Sequence, residues 1–209
     1  YVSASNGALE ISGSGLGLSV GDWTDGYHGN DEFIPILPGD FTLNDETHGR
    51  APMKTFGSGS YALSVHTTGV QNTAIGNNAL NSSTTGETNT AVGLQAGQSI
   101  TTAYRGVFIG NGAFGSVTTG LRNTAVGYGC GGTGVTADYN TIVGDNAANS
   151  LTQADNLVAI GNDAMYSITT GSNNVAVGSY ALDAATTAQD NIAIGLAALG
   201  LLNHANSVN

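Results

Sequence analysis

Positive charge is scarce in this chain. Four Lys and Arg stand against fifteen Asp and Glu in 209 residues, a formal net charge of −11. A basic surface that tracks phosphates is thereby excluded, and no binding of DNA or RNA is expected. Charged residues of both signs amount to only 9%, too few for charge-driven disorder. The single cysteine, Cys130, cannot close an internal disulfide. No apolar run approaches the ~18 residues of a membrane helix, so no membrane insertion is expected. No secretory leader is visible, and the first residue is Tyr1 rather than Met. There are three prolines, Pro35, Pro38 and Pro52, all in the first quarter of the chain.

Glycine, by contrast, is abundant, with 32 residues, and it does not follow a collagen-like period of three. Apolar residues reach 40%, enough to build a core. The length allows one large domain, or one plus an appendage. Gly, Thr, Asn, Ser and Ala crowd a chain poor in Lys, Arg and Glu. Such bias directs attention first to internal repeats.

The repeat is strict. A glycine preceded by Ile or Val recurs at Gly76, Gly93, Gly110, Gly127, Gly144, Gly161, Gly178 and Gly195, always 17 residues apart. Gly59 extends the frame back by one unit, although Ser58 breaks the apolar rule. The preceding residues are Ile75, Val92, Ile109, Val126, Val143, Ile160, Val177 and Ile194. One position earlier stand Ala74, Ala91, Phe108, Ala125, Ile142, Ala159, Ala176 and Ala193. Three positions after the glycine the residue is alanine in every unit except at Cys130. A Thr-Thr pair lies mid-unit, as at Thr84-Thr85, and an asparagine opens most apolar segments: Asn72, Asn89, Asn123, Asn140, Asn174 and Asn191.

A unit of 17 residues is too short for a pair of helices, which needs ~33 or more. It fits two short strands and two or three bends. One strand is expected at Asn123 to Gly127 and its equivalents, the other at Ser179 to Leu182 and its equivalents. An unvarying period stacks each residue on its counterpart one coil away, at the ~4.8 Å spacing of paired strands. Stacked asparagine amides are expected to hydrogen-bond along the ladder. Stacked charges would repel, which accounts for their rarity. Glycine supplies positive φ or tight clearance at a corner. The expected fold is all-β: a parallel β-solenoid of about eight coils, roughly 40 Å long.

Alternate residues of a strand face opposite sides. The Ile or Val before each glycine faces one way and the alanine before it the other, and neither face carries charge. One face can be the interior of the coil, and the other is expected to pack on a partner chain. Three parallel copies make the simplest closed arrangement, so a homotrimer is expected. The ladder residues Ile75, Val92, Ile109, Val126, Ile160, Val177 and Ile194, with Phe108 and Ile142, are candidates for trimer or core contacts. Phe108 and Ile142 replace alanine and should mark extra room on that face or a contact between chains.

Asn156-Leu-Val-Ala-Ile-Gly161, Asn174-Val-Ala-Val-Gly178 and Asn191-Ile-Ala-Ile-Gly195 resemble the head repeats of YadA-like trimeric autotransporter adhesins, which also occur in bacteriophage fibre proteins. The resemblance covers about residues 59 to 200. It implies a left-handed parallel β-roll, three chains side by side, and the task of holding or touching a surface. The recurrent Thr-Thr-Gly turn, as at Thr84-Thr85-Gly86, and the longer repeat look more like phage fibre repeats. The collagen binding of some adhesin heads is not carried over.

Residues 1–57 lack the repeat and form an N-terminal docking or capping segment, ahead of a solenoid domain at 58–209. The closely spaced Gly13, Gly15 and Gly17 suggest a loop-rich arm. Phe33-Ile34-Pro35-Ile36-Leu37-Pro38 is apolar and broken by proline, so it cannot be a central strand. Together with Trp23, it is the candidate docking surface for other virion proteins. The alternative is a cap over the first coil, which every solenoid needs.

Few residues suggest chemistry. Asp138 and Asp155 occupy one position in successive coils. Such a pair could serve a retaining glycosidase or hold Ca²⁺, or be two solvated turn aspartates. Arg105 and Arg122 also stack, either gripping an acidic glycan or simply solvated. Asp22 to Glu32 is oxygen-rich but fails the EF-hand spacing. His28, His48, His66 and His204 have no metal-ligand spacing. His66 replaces an apolar residue, which suggests an end effect. Cys130 fits a buried ladder position better than a nucleophile. Tyr104, Tyr128, Tyr139, Tyr166 and Tyr180 could stack on sugars or fill grooves between chains. No cofactor, metal or enzymatic activity is expected, because an active site breaks local rules and this repeat keeps them. A glycan-cleaving tailspike would need loop insertions that are lacking here. The expected role is a structural or attachment component of a phage virion, a trimeric fibre or capsid decoration, with a cell-surface glycan as candidate ligand. The alternative is the head of a bacterial trimeric adhesin at the cell surface.

Overall fold

Each β-branched triplet of the repeat forms one short strand, because Thr, Val and Ile suit a pleated surface. The computed structural model describes residues 2–5, 8–11, 55–132 and 136–201. The sequence-based readings at Gly13, Gly15, Gly17, Trp23, Phe33, Ile34, Ile36 and Leu37, in the Asp22 to Glu32 loop, and at His28, His48 and His204 lie outside the described residues. Near the start, β1 (Val2–Ser5) and β2 (Ala8–Ile11) pair antiparallel. The repeat region supplies β3 (Thr55–Ser58), β4 (Asn72–Ile75), β5 (Thr90–Val92), β6 (Val107–Ile109), β7 (Thr124–Val126), β8 (Thr141–Val143), β9 (Val158–Ile160), β10 (Val175–Val177) and β11 (Ile192–Ile194).

These last nine strands make a single parallel sheet in chain order, β3 to β11. The register is the sequence period: Ala74 pairs with Ala91, Ala125 with Ile142, and Val177 with Ile194. The chain is thus an all-β parallel solenoid of about eight coils of 17 residues. Strand β3 straddles the boundary at 57/58 and already pairs with β4.

The second expected strand is not one. Ser179 to Leu182 and its equivalents are turns. The reason is a run of left-handed backbone: Tyr180 (φ 59°) and Leu182 (φ 52°), like Asn78 (φ 56°) and Leu80 (φ 46°), break the extended conformation. Each of these residues aims its N–H along the solenoid axis. Asn78 donates to Ser60 in the preceding coil at 2.9 Å, and Leu80 to Ala96 in the following coil at 3.0 Å. The alternating residues Ala79 and Asn81 close four-residue turns, Ala79 onto Gly76 and Asn81 onto Asn78. A left-handed non-glycine residue costs on the order of 1–2 kcal/mol. Here the cost is offset because turn and inter-coil bonds satisfy N–H groups that an ordinary loop would leave to water.

The alanine ladder points inward and is fully buried, as are Leu80, Ile100, Val117, Leu151, Met165, Ile168 and Leu182. Phe108 and Ile142 are core residues too, with relative exposures of 1% and 0%. Their room is made inside the coil, not at a contact between chains. Phe108 stacks on Phe114 with ring centroids 5.4 Å apart and planes 12° from parallel. A Cβ at Gly106, where neighbouring coils carry Asn89 and Asn123, would collide with the Phe108 ring. The asparagine missing from that coil therefore leaves the space that the phenylalanine fills.

The buried asparagines do not chiefly bond to each other. Asn140 Oδ1 accepts the backbone N–H of Leu157 at 2.8 Å, and its Nδ2 donates to the Ala154 carbonyl at 2.9 Å. Asn72, Asn89, Asn123 and Asn174 bridge coils in the same way. A direct amide contact adds to this between Asn191 and Asn174, at 3.1 Å. The backbone wins because its buried N–H and C=O groups at this corner have no strand partner. The threonine ladder also bonds to backbone: Thr169 Oγ1 donates to Thr186 O at 2.9 Å. At the repeat glycines both sequence arguments hold. Gly144 has φ +144°, and a Cβ there would lie 2.6 Å from the Gly161 carbonyl carbon.

Candidate functional site

The period-two rule sends two residues of every strand outward. In β7 these are Thr124 and Val126, with Ala125 buried between them. Along the sheet this yields two parallel rows. One runs through Thr73, Thr90, Val107, Thr124, Thr141, Val158, Val175 and Ile192, the other through Ile75, Val92, Ile109, Val126, Val143, Ile160, Val177 and Ile194. Neither row contains a charge. The valines of the second row are half-buried, whereas Ile75, Ile109 and Ile160 keep 37–40% of their surface exposed. The last coil is more open, with Ile194 at 70%. The uncharged strip is roughly 40 Å long, more continuous than the scattered apolar residues of an ordinary surface. The nine named ladder residues thus divide: Phe108 and Ile142 are core, and Ile75, Val92, Ile109, Val126, Ile160, Val177 and Ile194 form the outer face.

The corner before the strands carries most of the remaining candidates. Asp138 and Asp155 do stack in adjacent coils, but their oxygens hold backbone. Asp138 Oδ1 accepts the Leu121 N–H at 2.8 Å, and Asp155 Oδ1 the Asp138 N–H at 2.7 Å. Ser172 Oγ continues the series by accepting the Asp155 N–H at 3.0 Å. In the earlier coils a carbonyl does this work, Glu87 donating to Ala103 and Tyr104 to Gly120. The aspartates are stitches between coils, neither free carboxylates nor simply solvated ones. The sequence signal for them is a short oxygen-bearing side chain at one frame position in three successive units.

One position further on, every described coil adopts left-handed backbone, including Arg105 (φ 57°), Arg122 (φ 55°) and Tyr139 (φ 59°). Arg122 Nη1 donates to Tyr139 Oη at 3.0 Å, and its guanidinium carbon lies 5.4 Å from the centre of that ring. All five tyrosines read from the sequence, and Tyr61, are exposed. Among the described residues no group of three His, Cys, Asp or Glu side chains converges as a metal site. Cys130 is buried, and that burial pushes its thiol up to about 12. A neutral thiol is a poor nucleophile, in keeping with a ladder residue. His66 Nε2 lies 2.7 Å from the Gly69 carbonyl and is thus a local turn contact at the first full coil.

One feature of the sequence gains meaning only on the structure. Residues 88–137 contain no Asp or Glu, yet they hold Arg105 and Arg122, two of the four basic residues in the chain. Three successive coils thus form a positive belt on a strongly acidic molecule. Comparisons of the chain with protein-family models, with characterised proteins and with solved structures give no match.

Proposed function

We propose that this chain is a structural and attachment component of a virion, a trimeric fibre or capsid decoration. Three copies lie side by side in parallel, their sheets turned to a common axis. The observation that carries this reading is the uncharged double row of Thr, Val and Ile along the outside of the sheet. Such a face needs cover, and three parallel copies close a ring in which identical rows meet around the axis at identical heights. The motif Asn156-Leu-Val-Ala-Ile-Gly161 supports the likeness to adhesin-type and phage fibre repeats, because Val158 and Ile160 belong to the outer rows and Ala159 to the core. A left-handed coil belongs to the same reading. The N-terminal segment docks the rod on other virion proteins, and a cell-surface glycan is the ligand.

The second reading is the head of a bacterial trimeric surface adhesin, favoured by the same motif. A coiled-coil stalk and membrane anchor in the same gene product would decide for it. Both readings make the chain non-enzymatic, and the use of Asp138 and Asp155 for backbone bonding supports that. Turnover of host glycans in a reducing-end assay, lost in Asp138→Asn, would overturn it.

The assembly test is sedimentation velocity at micromolar concentration. A trimer is expected, and a stable monomer would refute the proposal. Val126→Asp should dissociate the trimer, because it puts three carboxylates at one height near the axis.

A further inference from the structure

We infer that Arg105 and Arg122, with Tyr104 and Tyr139 on either side, bind an anionic saccharide. The inference rests on the attachment reading above and names the ligand class.

The charge distribution comes first. A chain with net charge −11 leaves 50 consecutive residues, 88–137, without a carboxylate. Two of its four basic residues fall in that window, in adjacent coils and at the same frame position. Like charges opposite one another on a ladder are destabilising. Among the described residues, from Gln71 to Asp190, every other position in this column holds a neutral side chain or, at Asp190, an acid, and Lys54 precedes them in the frame. The stacked arginines therefore place two like charges in adjacent coils, a cost that a bound anion would offset.

The geometry points the same way. The two residues sit in adjacent coils, Arg122 N–H donating at 2.9 Å to the carbonyl of Tyr104, the residue before Arg105, so the guanidinium stems start about one strand spacing apart. Both side chains are exposed, and among the described residues neither guanidinium forms an ion pair. Arg122 is aimed by Tyr139, which takes one of its five N–H donors and leaves the rest of the fork open. Left-handed backbone at both arginines fixes where the stems leave the chain. Arginine forks match planar or tetrahedral oxyanions and hold them in two-pronged fashion. Tyr104, 38% exposed, offers a ring face on which an apolar sugar face can lie, while Tyr139 holds the Arg122 fork.

An oxyanion on a sugar is thus the shared chemistry, and its two sources, a carboxylate or a sulfate, are separated by the probes. The carboxylates nearest in sequence do not serve the arginines internally. Glu87 adjoins Arg105, whose N–H donates to the Glu87 carbonyl at 3.0 Å, but among the described residues its carboxylate forms no ion pair with it, and Asp138 spends Oδ1 on the Leu121 N–H. In a parallel, in-register assembly a neighbouring copy presents the same coils at this height, and residues 88–137 contain no acid. A neighbouring copy therefore offers no carboxylate at this level either.

The test is calorimetric titration of the assembled protein with an oligogalacturonate, a sulfated oligosaccharide and a neutral galacto-oligosaccharide. One of the two acidic probes should bind, with affinity that falls as salt rises. The better of them identifies the anion. Arg105→Gln and Arg122→Gln should each weaken binding about tenfold, and Arg122→Lys less. Tyr139→Phe should weaken it a few-fold by releasing the Arg122 fork. Sedimentation of the same samples must show the assembly unchanged, which separates this inference from the trimer proposal. No binding of either acidic probe, equal binding of the neutral sugar, unchanged affinity in both Gln variants, or tighter binding of an oligoglutamate peptide would overturn it.

Discussion

Ala125 and Val126 are neighbours in one strand, yet they live under different rules. The inward residue is sealed among its counterparts from the coils above and below, and its side chain can grow only where the coil makes room. Phe108 shows the condition, since it occurs with glycine at 106 and lies against Gly97, where a Cβ would come within 3.0 Å of its ring. The outward residue has no such constraint on size, and Thr, Val and Ile occur in one outer row and Val and Ile in the other. What is held constant there is the absence of charge and the β-branch. The inside is thus selected for volume, and the outside for shape and neutrality.

Phe108→Ala tests the inner side hardest. It should cost ~3–5 kcal/mol in chemical denaturation, since it leaves a cavity beside Phe114 that rigid neighbouring coils cannot close. Asn140→Ala comes next, at ~2–4 kcal/mol, because it strips two buried backbone groups of their partner. A matched pair then addresses the contrast directly. Ala125→Val should destabilise the fold by ~1–3 kcal/mol through overpacking. Val126→Ala should change the stability of a single chain by under ~1 kcal/mol, its effect appearing in association instead. Equal costs for the two would erase the distinction.

The smallest effect is a dependence on pH. Burial raises the Cys130 thiol from 9.0 to about 12. The folded state therefore keeps its proton when the unfolded state has lost it. The stabilisation from burying a neutral thiol is complete below about pH 9 and fades as pH rises toward 12. Between pH 8 and pH 10 the loss should be ~1 kcal/mol. Cys130→Ala, which restores the residue found at this position elsewhere in the repeat, should abolish that part of the alkaline destabilisation in paired denaturation curves.

The period, the parallel sheet and the opposite facing of the two ladders were readable from the sequence (though not which ladder is the core), because they follow from identity of spacing and from alternation along a strand. The turns were not. Nothing in Leu80, Met165 or Leu182 announces left-handed backbone, since these residues avoid it in isolation and adopt it only when adjacent coils accept their N–H groups. The asparagine and aspartate ladders were visible as columns, but not as bonds to backbone, because which carbonyl and amide groups lack partners depends on the turn. The positive belt was legible in principle as a gap in the acidic residues. It has meaning only once residues 17 apart are known to touch.

The hydrogen bonds that run from each coil to the next have a consequence for the history of the chain. Since every coil offers its neighbour the same set of donors and acceptors, a whole coil can be duplicated or removed and the cut faces still match. A change of any other length puts strand against turn. The molecule is therefore a ruler with one graduation, each worth about 4.8 Å. Its length can be reset by recombination between repeats in a single event, with no new surface to invent.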